Sequence, residues 1–467
     1  MRLVMKFGGT SVGDAGAIGR TVDILARYHA EGHEVAVVVS AMSGVTDQLH
    51  AIAAEAESSV EEPPIAAFIQ ALRAKHLKTL EAAAPGQAEE VGAVINERLV
   101  NLEHILTAVH ALHELTQRSK DYIVSYGERL SALILSAAIR ERGIPSTALD
   151  GCEAGILTTS KHGDALVLPQ SDPRIHSRVV PLLMDGMPVI TGYMGCTPEG
   201  IVTTLGRSGS DYSAAIVGRA IDADEIWIWT DVDGVMTSDP KIIADVRVLP
   251  YVSYREAMEL SYFGAKVLHP KTIEPAMEKD TIVRVKNTFN PDSPGTVVRR
   301  QEQKEKRVVK AITHIARVAL VNINGVQMIG RPGVAREIFT ALGDAGINVM
   351  MISQASSQAN ISLIIEENDL PLALEVLSAP VKSGLVREVT SDRNVVAIAV
   401  IGAGMAGTPG ISGRIFTALG QAGVNVMMIS QGSSEVNVSF VVRQDESRKA
   451  LQVLHDEFRL SEECKDE

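Results

Sequence analysis

The sequence predicts an α/β fold, a mainly parallel or mixed sheet covered by helices, followed by two small α+β units of one design. Three observations carry this. Between residues 121 and 285, short apolar runs at 144–149, 188–191, 225–230 and 281–286 alternate with helical stretches, the pattern of strands joined by crossover helices. The chain opens on the apolar run Leu3-Val4-Met5, which leads into a glycine-bearing turn. Residues 333–367 align without a gap on residues 410–444, with 20 of 35 positions identical, so one supersecondary unit occurs twice.

The opening turn reads Lys6-Phe7-Gly8-Gly9-Thr10-Ser11-Val12-Gly13-Asp14. Gly8 and Gly9 can take backbone angles closed to other residues and let their N–H groups approach an anion without a Cβ in the way. Thr10 and Ser11 add hydroxyl donors, and Lys6 adds a point charge able to follow a phosphoryl group. A tight turn with a surface lysine would use the same residues, so the choice rests on what lies further along. Residues 35–39 form a second apolar run ending in Ser40-Ala41-Met42-Ser43-Gly44-Val45-Thr46-Asp47, a hydroxyl-rich loop at a strand end, where α/β proteins bind ligands.

Residues 48–118 are rich in Ala, Leu and Glu at helical spacing and read as a helical excursion. His104, His110 and His113 within it have no third ligand nearby and read as ordinary helix positions. Asn290-Pro291-Asp292-Ser293-Pro294-Gly295 breaks the alternation, and a charged run over 299–307 follows; that is the best domain boundary. The expected domains are 1–298, a linker 299–314, and repeat units 315–390 and 391–467.

Each repeat reads as strand, Pro-Gly loop, amphipathic helix, strand, turn, strand. Gly402-Ala403-Gly404-Met405-Ala406-Gly407 fits the dinucleotide pattern G-x-G-x-x-G, but the acidic residue expected about 20 positions on is missing. The first repeat has Asn324-Gly325-Val326-Gln327-Met328-Ile329-Gly330 in its place, so the repeat survives without the motif and nucleotide binding is not assigned there.

Composition narrows the function classes. With 44 Lys and Arg against 57 Asp and Glu, the net charge of -13 argues against a nucleic-acid or anionic-membrane surface, and 4% aromatics leaves few stacking platforms. Three scattered cysteines, Cys152, Cys196 and Cys464, suggest neither a disulfide framework nor a zinc site and fit a reducing cytoplasm. No apolar run approaches the roughly 18 residues of a membrane helix.

Four further segments carry chemistry. Ser125-Tyr126-Gly127-Glu128 places a carboxylate at a glycine-marked helix start, and Leu205-Gly206-Arg207-Ser208-Gly209-Ser210-Asp211 holds an arginine and an aspartate among small residues. Trp229-Thr230-Asp231-Val232-Asp233-Gly234 follows a strand and closes with Asp239-Pro240-Lys241, and Phe263-Gly264-Ala265-Lys266-Val267-Leu268-His269-Pro270 carries another lysine. Singly, each is as consistent with a cap or a surface ion pair.

In this order, over nearly the whole chain, these segments resemble the aspartate kinases of the amino acid kinase family, and the repeats resemble the tandem ACT domains that those enzymes carry. The resemblance implies a carbamate-kinase-like αβα sandwich followed by two ferredoxin-like ACT domains. It also implies transfer of the γ-phosphoryl group of Mg-ATP to the β-carboxylate of L-aspartate. By resemblance, Lys6, Asp211 and Lys266 are catalytic. Ser40, Thr46, Glu128, Arg207 and Ser210 hold aspartate: Arg207 on the α-carboxylate, Glu128 with Asp211 facing the α-ammonium, Ser40 and Thr46 on the β-carboxylate. Lys6, Gly8, Gly9, Thr230, Asp231, Met236, Lys241, Lys266 and Val267 map onto nucleotide positions. No direct protein ligand to a metal is implied, Mg²⁺ arriving on ATP.

Ser208 stands where glycine or asparagine is usual in the family, and Met236 where an aromatic is common. For an amino-acid effector, threonine or lysine, the resemblance points to Gly333, Asn348 and Gln354 and to Gly410, Asn425 and Gln431. It further implies an even-numbered homo-oligomer, dimer or tetramer, through the ACT units, with residues 308–313 adding a strand to the second of them.

Overall fold

The computed structural model describes residues 1–264, 268–300 and 307–462, which form two compact units. The first holds an eight-stranded sheet of β1 (Arg2–Phe7), β2 (Glu34–Val39), β3 (Ser146–Leu149) and β4 (Met187–Thr191), outside which a small hairpin pairs β5 (Met194–Cys196) with β6 (Val202–Thr204). The sheet continues through β7 (Glu225–Thr230), β8 (Tyr251–Ser253), β9 (Ile282–Asn287) and β10 (Thr296–Arg299). The strand order is β3-β4-β2-β1-β7-β9-β10-β8. The run from β3 to β9 is parallel, while β10 turns antiparallel against β9.

β1 and β2 are central, so their sequences are apolar on both faces: Leu3, Val4, Met5, Val37, Val38 and Val39 are all fully buried, as expected of strands covered by helices on both sides. β1 lies between β2 and β7, where the strand order reverses. In open α/β sheets the crevice beyond the carboxyl ends of strands at such a reversal is the favoured ligand site.

The helical excursion consists of helices Val45–Ser58, Ile65–Ala83, Ala88–Leu112 and Gln117–Val124, followed by Tyr126–Glu141. Leu49, Leu72, Leu99, Leu106 and Leu135 join one core with β1 and β2, each burial contributing about 1.5–3 kcal/mol.

The second unit holds a six-stranded antiparallel sheet, β12-β13-β11-β14-β16-β15, made of β11 (Ala311–Asn324), β12 (Val349–Gln354), β13 (Asn360–Glu366), β14 (Glu388–Ile401), β15 (Met428–Gln431) and β16 (Asn437–Arg443). Two 14-residue strands, β11 and β14, run through both repeats. Ala311 to Ile315 pair with Ala397 to Ile401, a register shift intervenes, and Val318 to Asn324 pair with β13. Ile312 accordingly packs in the core of the second repeat, and Val321 and Ile323 in that of the first.

This arrangement explains the glycines at 402 and 404. A Cβ on Gly402 would lie 2.3 Å from the Val308 carbonyl oxygen, and one on Gly404 3.0 Å from the Val308 Cα. The spacing serves a close backbone crossing, not a pyrophosphate.

Two details of the domain limits emerge from the structure. The strand β11 begins at Ala311, within the stretch 299–314 that the sequence reads as a linker adding a strand to the second repeat. Met236–Leu249 clusters with the second unit rather than with residues 1–298: Ile243 sits in the core of the second repeat, the Ile312 N–H donates to the Thr237 carbonyl at 2.9 Å, and Thr237 Oγ1 meets His455 Nε2 at 3.1 Å. The apolar Ile242-Ile243 pair gave no sign in sequence of which core it would fill.

Candidate functional site

Beyond the carboxyl ends of β1, β2 and β4 lies a cavity of about 620 Å³, lined among others by Lys6, Ser40, Thr46, Glu128, Arg207 and Asp211. Lys6 is the penultimate residue of β1, and its Nζ lies 2.6 Å from Asp211 Oδ1. Asp211 stands in the first turn of helix Gly209–Ala220. The chain reaches that helix through Gly206 at φ 78° and Ser208 at φ 54°, two left-handed corners that swing Arg207 and Ser210 onto the cavity wall. The left-handed angle at 208 is the physical reason glycine or asparagine suits that position.

The opening turn departs from expectation in its cause. Gly8 is extended, at φ -76°, and Gly9 is not among the residues at positive φ. The glycines are needed for space: a Cβ on Gly9 would lie 2.9 Å from the Ala41 carbonyl oxygen, and one on Gly8 3.5 Å from Lys6 Nζ.

Glu128 dominates the electrostatics. Its helix starts against the loop after β2, where a Cβ on Gly127 would come within 2.7 Å of the Ala41 methyl. The carboxylate is 3% exposed and accepts the Ala41 N–H at 3.2 Å, while among the described residues its Oε2 has no hydrogen-bond partner. Burial pushes its pKa up to about 8, since a lone buried anion is costly. The site thus holds a carboxyl group that a ligand cation would stabilise in its charged form.

Three lining residues escaped the sequence reading: His50, Gly163 and Tyr193. Tyr193 sits at φ 66°, unusual for an aromatic residue and typical of ligand sites. Its one sequence signal is the pair Gly192-Tyr193 directly after the apolar run 188–191. A Cβ on Gly192 would fall 2.5 Å from that of Ser210, so this corner packs on the arginine loop. His50 lies one helical turn after Thr46, and burial lowers its pKa.

The nucleotide positions are not gathered in the same way. Thr230 ends β7 and donates to Asp231 Oδ1 at 3.2 Å in the first unit. Met236 and Lys241 belong to the second unit, and Lys266 and Val267 lie outside the described residues.

The repeats carry two equivalent cavities. One, about 360 Å³, is lined by Gly333, Gln354 and Gln358, and the other, about 390 Å³, by Gly410, Gln431 and Glu435. Gly333 at φ 94° and Gly410 at φ 89° are the left-handed N-caps of helices Val334–Asp344 and Ile411–Gln421. Asn348 and Asn425 do not line these cavities. Asn348 instead lies in hydrogen-bond contact with the Tyr262 hydroxyl, and Asn425 is exposed.

Known proteins resemble both parts of the chain. A profile of the amino acid kinase family matches residues 1–287, and an ACT domain profile matches residues 321–379 and 398–458. The chain is 37% identical over 472 residues to a chloroplastic bifunctional aspartokinase/homoserine dehydrogenase 1 of Zea mays, covering 98% of this chain and 50% of that protein. It is 34% identical to aspartokinase 2 of Arabidopsis thaliana, also chloroplastic, covering 97% of this chain and 84% of the relative. The chain therefore spans about half the length of its bifunctional relatives. Aspartokinase III of E. coli, solved with aspartate and ADP, superposes with a TM-score of 0.82 at 28% identity over 98% of this chain and 99% of that one. Its complex with lysine and aspartate gives a TM-score of 0.80.

Proposed function

The chain belongs to the amino acid kinase family, and from that premise we propose that it is an aspartate kinase. It transfers the γ-phosphoryl group of Mg-ATP to the β-carboxylate of L-aspartate, giving 4-phospho-L-aspartate and ADP, the entry to lysine, threonine and methionine synthesis. The observation that carries the reading is the buried, uncompensated Glu128 in one cavity with Arg207 and Lys6. An α-amino acid supplies the matching charges, an ammonium for Glu128 and a carboxylate for the planar fork of Arg207.

The chemistry needs little acid–base help. A β-carboxylate is ionised at neutral pH and attacks the γ-phosphorus without a general base. The barrier is the approach of two anions, which falls when cations and N–H donors are preorganised around the transferring group. Lys6 supplies one charge, held in direction by Asp211 at 2.6 Å. Ser40 and Thr46 orient the attacking carboxylate. Lys266, with Thr230, Asp231, Met236, Lys241 and Val267, forms the nucleotide side of this reading. Mg²⁺ travels with the ATP phosphates and neutralises charge as it develops.

The two repeat cavities support feedback inhibition by a pathway amino acid, threonine or lysine, acting through a homo-oligomer joined by ACT units. A cytoplasmic setting belongs to the same reading, supported by the unpaired thiols of Cys152 and Cys196. No described helix is long and apolar enough to cross a membrane.

The test is hydroxylamine trapping of acyl phosphate from L-aspartate and Mg-ATP, with and without threonine, lysine or both. Hydroxamate formed only with L-aspartate supports the reading. A signal with glutamate alone moves the chain to a sister kinase, and no signal with either substrate overturns it.

A further inference from the structure

One buried carboxylate takes no part in the transfer chemistry. Asp121, on helix Gln117–Val124, is 2% exposed. Its two oxygens accept from His162 Nδ1 at 2.9 Å, from the Gly163 N–H at 3.0 and 3.1 Å, and from the N–H and hydroxyl of Thr204 at 3.1 and 2.6 Å. The N–H groups of Gly163 and Thr204 can only donate, so the site is shaped for a group that accepts. A side-chain amide would turn an N–H₂ toward N–H groups.

These partners adjoin the substrate cavity. Gly163 is itself part of the cavity wall. Thr204 is the last residue of β6, just ahead of Leu205-Gly206-Arg207. The two segments are tied again where the Ala165 N–H donates to the Thr204 carbonyl at 2.9 Å. They are also close enough that a Cβ on Gly206 would meet Asp164 Oδ1 at 2.8 Å. The Thr204 hydroxyl lies in hydrogen-bond contact with Tyr193, and the Leu205 N–H donates to the Tyr193 carbonyl at 2.9 Å. One carboxylate thus fixes three stretches of wall, at 163, 193 and 206–207.

We propose that Asp121 is a positioning residue for the amino-acid substrate, holding the loop at 162–164 and the end of β6 so that Arg207 meets the substrate α-carboxylate. This rests on the aspartate kinase reading. A staple for the fold alone could be made by apolar packing, which needs no desolvated acceptor; what the carboxylate adds is a fixed direction for the N–H groups of Gly163 and Thr204, both beside the cavity. Arg207 grips a part of the substrate that does not react. Its displacement therefore weakens ground state and transition state alike and raises KM with little change in kcat.

The experiment is steady-state kinetics by hydroxamate trapping on the full chain, comparing wild type with Asp121→Asn, Thr204→Val and His162→Ala. For Asp121→Asn the expected result is at least a tenfold rise in KM for aspartate, with KM for ATP within twofold and kcat within about threefold. Thr204→Val and His162→Ala, which each remove one donor, give smaller rises in the same constant alone. A KM for aspartate within twofold of wild type overturns the proposal, even if thermal stability falls, since a purely structural staple would show that pattern. An equal rise in both KM values also overturns it. Should Asp121→Asn fail to fold, Thr204→Val decides by the same split. Absence of hydroxamate from wild type would bring down the kinase reading and this role with it; a normal wild type beside an unchanged Asp121→Asn brings down this role alone.

Discussion

The substrate cavity and the repeat cavities are built in opposite ways. The first gathers Lys6, Ser40, Glu128 and Arg207 from four distant stretches of chain to the ends of a parallel sheet, and it contains a buried carboxyl group. Each repeat cavity is assembled within one repeat from a Pro-Gly loop and a strand end. Long-range assembly allows groups of opposite charge to be held against one another, as Lys6 and Asp211 are at 2.6 Å, at a cost that the whole sheet must carry. Local assembly can be duplicated as a block, which is how 20 of 35 residues recur at an offset of 77. The two cavities then diverge at single positions such as Gln358 and Glu435.

The largest effects are expected at the Lys6–Asp211 ion pair. Lys6→Ala or Asp211→Ala should lower kcat by on the order of 10³-fold while the fold survives, because each removes transition-state charge or its orientation without emptying a core. Near-normal hydroxamate formation by a folded variant would break the contrast, leaving the first cavity no more specialised than the other two.

Glu128 gives the next effect and a pH signature. Its folded pKa of about 8 lies above its ordinary value of 4.5 because of burial. A raised carboxyl pKa contributes stability that is full below pH 4.5 and lost as pH rises through about 8. Substrate affinity runs the other way, since an ammonium prefers the ionised form. KM for aspartate should therefore fall as pH rises from 6 to 8, by up to about tenfold per unit. Glu128→Gln should raise KM by roughly 10²-fold and flatten the profile. A parallel slope in wild type and Glu128→Gln would assign the titration to another group.

The repeats offer a matched pair of smaller effects. Gly333 and Gly410 share a left-handed corner with nothing within 4 Å of an added Cβ. Gly333→Ala and Gly410→Ala should each cost about 1–2 kcal/mol, from backbone strain alone. Equal losses in denaturant midpoint would show that the repeats remain mechanically equivalent. A loss confined to one would show that identity of sequence has outlived identity of role.

How much of this was legible in the sequence tracks the same division. Strands buried on both faces announce themselves, and β7 begins and ends where the apolar run 225–230 does. Loops after strands marked the stretches that meet at the first cavity, because glycine, hydroxyl and charge concentrate there. Tyr193, His50 and Asp121 left no comparable trace. Each reaches its place through a fold corner or a helix face whose direction depends on partners distant in the chain, such as Thr204 for Asp121. The assignment of Met236–Leu249 to the second unit was equally hidden, since apolar residues state that they will be buried but not where.

The smallest prediction sets the two kinds of corner against each other directly. In the repeats the left-handed residue is glycine, whereas beside Arg207 it is Ser208, at φ 54° and without a side-chain cap on the adjoining helix. A left-handed serine costs about 1–2 kcal/mol relative to a right-handed one. Glycine escapes most of that but adds roughly 0.4–1 kcal/mol of freedom to the unfolded chain. Ser208→Gly should therefore stabilise the protein by up to about 1 kcal/mol, seen as a rise in denaturant midpoint at unchanged slope. If the midpoint falls instead, the serine hydroxyl holds the corner and the conformation is not strained. A gain in stability with a higher KM for aspartate would mean that strain at 208 helps keep Arg207 in place, the kind of cost tolerated at sites that must bind and absent from the glycine corners of the repeats.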